Sequence, residues 1–110
     1  MEVSIFQDVK STVPTAVEVR DILQGIKDGQ WKSAVQNVRK QTSKNGRRKA
    51  KESLACVLLS GKFTGAKASD LIAPSGLLQI DLDNIKDPPK IRDELRKDPY
   101  LICAFVSPSA

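Results

Sequence analysis

The chain has 110 residues, 40% hydrophobic and 28% charged, with a formal net charge of +5, a composition that suits one small globular domain rather than two. No apolar run approaches the roughly 20 residues needed to cross a bilayer, and the opening Met1-Glu2-Val3-Ser4 lacks the basic and apolar stretches of a secretory leader, so a cytoplasmic protein with no membrane partner is expected. Histidine is absent altogether, which removes histidine-based acid–base catalysis, histidine-ligated zinc and a serine triad from this polypeptide.

Residues 3–9 alternate apolar and polar side chains and predict a short edge strand. Thr15-Ala16-Val17-Glu18 has capping-box spacing, with Thr15 as N-cap and Glu18 reaching back. The helix it would open carries Val19, Ile22, Leu23 and Ile26 on one stripe and ends at Gly29. Trp31, Ala34, Val35 and Val38 repeat that spacing and predict a second helix, with Trp31 as the largest piece of its core face. A tryptophan also stacks on bases, but one that continues a helical stripe reads as core.

The charge is unevenly placed. Between residues 32 and 51 lie eight basic residues (Lys32, Arg39, Lys40, Lys44, Arg47, Arg48, Lys49 and Lys51) and no acidic one, while the rest of the chain has ten basic against thirteen acidic residues. All the excess positive charge therefore sits in one segment, the footprint expected of contacts to the phosphates of DNA or RNA. The plainer alternative is a solvated helix end and loop. Asn45-Gly46 is a turn signal, so residues 43–51 are expected to be a loop running into a short helix.

Residues 54–59, Leu-Ala-Cys-Val-Leu-Leu, form a continuous apolar run closed by Ser60-Gly61, which predicts a central strand covered on both faces. A connection with a helical turn near Ser69-Asp70 follows. Cys56 and Cys103 both sit in apolar segments without Cys-Xaa-Xaa-Cys spacing and read as reduced core thiols.

Residues 77–83, Leu-Leu-Gln-Ile-Asp-Leu-Asp, predict a strand that ends by projecting two carboxylates. Strand side chains alternate, so Asp81 and Asp83 would point to one face and Ile80 and Leu82 to the other. Adjacent carboxylates repel unless a cation lies between them, and in nucleotide chemistry that cation is usually Mg²⁺ or Mn²⁺. The alternative is that Asp83 simply opens the loop at Asn84. Pro88 then begins a helix to Lys97 with Ile91 and Leu95 inward, and residues 100–106 predict another apolar strand. The whole reads as a single α/β (α+β) domain, a helical pair on a small mixed sheet. Because Val106-Ser107-Pro108-Ser109-Ala110 stops immediately after a strand that reads as central, the chain is expected to be the front piece of a longer domain.

Four motifs occur in order: Ser60-Gly61-Lys62-Phe63 after a strand; Ser75-Gly76 leading into Asp81-Leu82-Asp83; Asp98-Pro99-Tyr100; and Ser107-Pro108-Ser109. Together they resemble the VirE-like N-terminal domain of the archaeo-eukaryotic primase (primase–polymerase) superfamily, found on replication proteins of mobile elements and phages. The resemblance implies a primase–polymerase-like core in which Asp81 and Asp83 hold Mg²⁺ or Mn²⁺ for nucleotidyl transfer. It also implies a DNA or RNA template and nucleotides as partners, together with a downstream helicase or ATPase. That family's pattern continues with a glycine, a histidine or lysine, and a third carboxylate, whereas Ala110 stands where the glycine is expected. The chain alone is therefore expected to be inactive as a polymerase. A competing expectation is a non-catalytic nucleic-acid-binding module of a mobile element acting through residues 32–51. A further one is an interaction subunit that pairs through its last strand.

Overall fold

The computed structural model describes residues 1–108. Its first sheet has three antiparallel strands in the order β2-β1-β3, formed by β1 (Glu2–Phe6), β2 (Thr15–Glu18) and β3 (Cys56–Leu58). β1 is the middle strand, not an edge. Its consecutive residues Val3 and Ser4 are both fully buried, and successive strand residues face opposite ways, so both faces of β1 are covered. β3 pairs with β1 alone and is therefore an edge strand rather than the expected central one.

Residues 15–18 do not cap a helix. They pair with β1, Thr15 opposite Ile5 and Glu18 opposite Glu2. The Glu18 carboxylate meets the N-terminal ammonium of Met1 at 3.1 Å, and the Val19 N–H donates to the Met1 carbonyl. A strand partner elsewhere in the chain overrides the local capping preference. Helix α1 (Val19–Asp28) then starts one residue later and closes at Gly29, whose φ of 79° and N–H bonds to the Gly25 and Ile26 carbonyls make a left-handed cap.

Helix α2 (Lys32–Lys40) packs against α3 (Lys44–Glu52), with Val38 of α2 and Ala50 of α3 buried. Trp31 precedes α2 and leans on α1: a Cβ at Gly25 would lie 2.9 Å from its ring, so only glycine leaves the indole room there. Trp31 is half-buried at the α1–α2 junction and is not among the buried core side chains, so it is not the largest piece of core that its spacing predicts.

A hairpin that the sequence pattern does not predict follows, β4 (Gly61–Phe63) with β5 (Leu71–Pro74), antiparallel and with an irregularity between Lys62 and Phe63. A single 3₁₀ turn at Ala68–Asp70 joins them, where a helical turn was expected. Ser4 ties this hairpin to the first sheet. Its buried hydroxyl donates to the Gly61 carbonyl at 3.1 Å and accepts from the Phe63 N–H at 2.8 Å.

Residues 77–83 and 100–106 form no strand. Apolar alternation makes a strand only where a neighbour takes up its N–H and C=O groups, and neither sheet pairs with these segments. Both sheets are antiparallel, so the mixed α and β class holds while the mixed sheet does not. Between the segments, α4 (Pro88–Leu95) begins as expected, with the Asp87 carboxylate accepting from the Lys90 N–H and proline in the first turn. It ends two residues before Lys97. Ser109 and Ala110, the end of the Ser-Pro-Ser motif and the residue expected to replace a glycine, lie outside the described residues.

Candidate nucleic-acid interface

The basic segment is a helix–turn–helix of α2, residues 41–43 and α3. Asn45-Gly46 does not break α3. Ser43 is its N-cap, with the hydroxyl accepting from the Gly46 N–H at 2.9 Å, and burial of Ala50 anchors the second turn. A cap together with a buried side chain outweighs the turn preference of Asn-Gly. The turn is held from both sides: Gln41 Nε2 donates to the Asn37 carbonyl at 3.1 Å, and Arg47 Nη2 donates to the Gln41 carbonyl at 3.3 Å. Gln41 and Ser43 are thus positioning residues that reading for charge alone passes over. Only the N-cap preference of a serine ahead of Lys44 points to one of them.

All eight basic residues of the segment are exposed. On α3, Lys44, Arg47, Arg48 and Lys51 stand at i, i+3, i+4 and i+7, which places them on one exposed stripe, with the buried Ala50 to one side of it, one turn on from Arg47. The stripe runs roughly 10 Å along the helix axis. Lys49 projects from the far side of α3, and Lys32, Arg39 and Lys40 carry the charge onto α2. Arg48 is paired with Glu52 at 3.4 Å on an open surface, and Arg39 Nη2 donates to the Ser107 carbonyl at 3.4 Å. The arrangement works against the helix in isolation. Like charges at i and i+4 cost about 0.2–0.5 kcal/mol per pair, and Lys44 in a first turn with no acidic residue opposes the helix dipole. A polyanion laid along the stripe would reverse both effects.

The carboxylate pair is placed differently. Asp81 and Asp83 are exposed on an irregular segment, and Gln79 Nε2 donates to Asp81 Oδ1 at 3.4 Å. Among the described residues no group of three or more histidine, cysteine, aspartate or glutamate side chains comes together as a metal cage. Cys56 and Cys103 are unpaired thiols, Cys56 half-buried and Cys103 exposed rather than in a core. Partial desolvation pushes the Cys103 thiol up from its ordinary pKa, opposite to what an activated thiolate needs. No described helix is long and apolar enough to cross a membrane.

The family model BT4734-like, N-terminal domain covers residues 49–110, more than half of the chain. No curated protein and no solved structure matches. The family is a different one from the VirE-like primase–polymerase domain, so that resemblance is corrected. Its motifs are short, and the strands meant to carry Asp81-Leu82-Asp83 and the Asp98-Pro99-Tyr100 run are not formed.

Proposed function

The chain belongs to the BT4734-like, N-terminal domain family, and we propose that it works as a nucleic-acid-binding module through the basic surface of α2 and α3. One observation carries this reading: Lys44, Arg47, Arg48 and Lys51 share one exposed stripe of a capped helix, in a segment of eight basic and no acidic residues. Phosphate contacts dominate nucleic-acid affinity and release condensed counterions, and rows of lysine and arginine on a rigid helix are the chemistry that makes them. The Arg48–Glu52 pair is no obstacle, since an exposed ion pair of this kind contributes little and a phosphate oxygen can replace Glu52. The module operates in the cytoplasm, a compartment in which Cys56 and Cys103 stay reduced as free thiols.

The test is binding of a fluorescent DNA duplex, and of an RNA of the same length, over a range of salt concentrations. Affinity should fall linearly on a logarithmic salt axis. Replacing Arg47, Arg48 and Lys49 together by alanine should reduce that slope by about 2–3, roughly one for each phosphate no longer neutralised. Absence of binding at low salt, or a slope unchanged in the triple variant, would overturn the reading. Asp81→Asn with Asp83→Asn is the control and should leave binding intact. If instead those two changes abolish a Mn²⁺- or Mg²⁺-dependent uptake of nucleoside triphosphate, nucleotidyl transfer becomes the better account.

A further inference from the structure

The third quarter of the chain carries an open sheet edge and, a few residues on, a strand-forming segment that pairs with nothing. β5 pairs with β4 alone, and all four of its residues, Leu71 to Pro74, are exposed. Natural edge strands are usually guarded by lysine, an inward charge or proline. Leu71-Ile72-Ala73 has no charge, and Pro74 closes the strand only at its end.

Residues 78–83 have the alternation of a half-buried strand, yet Leu78 is 85% and Ile80 70% exposed. Left-handed residues bracket the segment, Gly76 with φ 81° and Asn84 with φ 57°, so the chain turns at both ends of a strand-length piece. Of the thirteen exposed large apolar side chains among the described residues, nine lie between Leu71 and Val106.

From this we propose that the chain forms a two-fold dimer in which residues 77–82 of each copy pair with the β5 edge of the other. Each protomer supplies one edge and one unpaired strand, so a two-fold axis satisfies both and leaves no site open for further addition. Pairing would cover Ile72 and one face of the 77–82 strand, and the remaining exposed apolar side chains would extend the buried patch. Leu71, Ile72, Leu78, Ile80 and Leu82 lie on the two pairing segments themselves, and at on the order of 100 Å² each they supply more than half of the about 800 Å² per partner of a standard interface. In the strand so formed Asp81 and Asp83 fall on the face opposite Ile80 and Leu82, so association would create the carboxylate alignment that the single chain lacks.

Sedimentation velocity of the full chain over a concentration series tests this, with amide hydrogen exchange on the same samples. The expected result is a reversible monomer–dimer equilibrium, with the amides of residues 77–82 protected as the dimer fills. Ile80→Lys on the unpaired segment and Ile72→Lys on the edge should each leave a monomer with an unchanged circular dichroism spectrum. Val13→Lys, at a side chain 76% exposed in a loop far along the chain from β5, should leave the dimer intact. A chain that stays monomeric throughout would overturn the inference. So would open-ended aggregation relieved equally by Val13→Lys, or a dimer indifferent to both Ile72→Lys and Ile80→Lys.

Discussion

Residues 71–106 are at least as rich in apolar side chains as residues 1–63, yet the two regions bury them very differently. The buried side chains of the described residues, Val3, Ser4, Phe6, Ile22, Val38 and Ala50, all lie in the first region. There, sheet and helices give the buried apolar side chains something to press against, while Val9 and Val13 in the loop after β1 stay exposed. In the second region Tyr100 stays 90% exposed, and α4 buries no side chain at all. Hydrophobic composition is thus not what makes a core. A core forms where segments distant in sequence pair, as residues 2–6 do with 15–18 and with 56–58.

The sharpest way to break this comparison is a truncation in each region. Phe6→Ala, at a side chain 4% exposed, should cost about 3–5 kcal/mol, a large part of the stability of a small domain. Leu78→Ala should stay within about 0.5 kcal/mol for the monomer, although it removes a comparably apolar side chain. Urea titration at a concentration low enough to keep the chain monomeric measures both. Equal losses would mean that residues 77–83 share the core after all.

A smaller effect is expected at the joint between the first sheet and the β4–β5 hairpin. Ser4→Ala removes the hydroxyl that serves both Gly61 and Phe63, leaving a carbonyl and an N–H without that partner in a buried place. The expected cost is about 1–3 kcal/mol. Hydrogen exchange should show the Phe63 amide losing protection before the β1 amides do, because the hairpin's tie to the sheet is cut while the sheet's own ladder remains.

What can be read from the sequence divides along the same line as burial. The α1 stripe as far as Leu23, the helix end at Gly29 and the start of α4 at Asp87-Pro88 rest on residues a few positions apart and stand as expected, although Ile26, the last residue of the stripe, is exposed. The basic segment is legible for the same reason, since charge is counted rather than folded. The helix of its first half, α2, is legible too, but that of α3 is not in full, because the Asn45-Gly46 turn signal is local whereas burial of Ala50 against the rest of the molecule is not. Thr15–Glu18 resembles a cap and β1 an edge because the true state of both depends on strand partners that no local pattern names. The carboxylate pair sits between the two cases. The identities of Asp81 and Asp83 are plain, but whether they face the same way depends on a partner for residues 77–83.

The smallest predicted effect isolates the comparison best, because it makes the same chemical change in both regions. Ser43 and Asp87 each cap a helix by accepting an N–H three residues on, Gly46 in one case and Lys90 in the other. Replacing such a cap by alanine typically costs about 1 kcal/mol. Helix α3 is locked to the core through Ala50, so fraying its first turn loosens packing that global unfolding must also break, and Ser43→Ala should lower the unfolding free energy by that amount, read as a lower urea midpoint at unchanged slope. Helix α4 has no buried side chain to transmit the loss. Asp87→Ala should therefore reduce helical circular dichroism slightly and speed exchange of the Lys90 amide, while the global midpoint stays where it was. A midpoint shift as large as that of Ser43→Ala would show that α4 is coupled to the core, and the division between the two regions would have to be redrawn beyond Leu95.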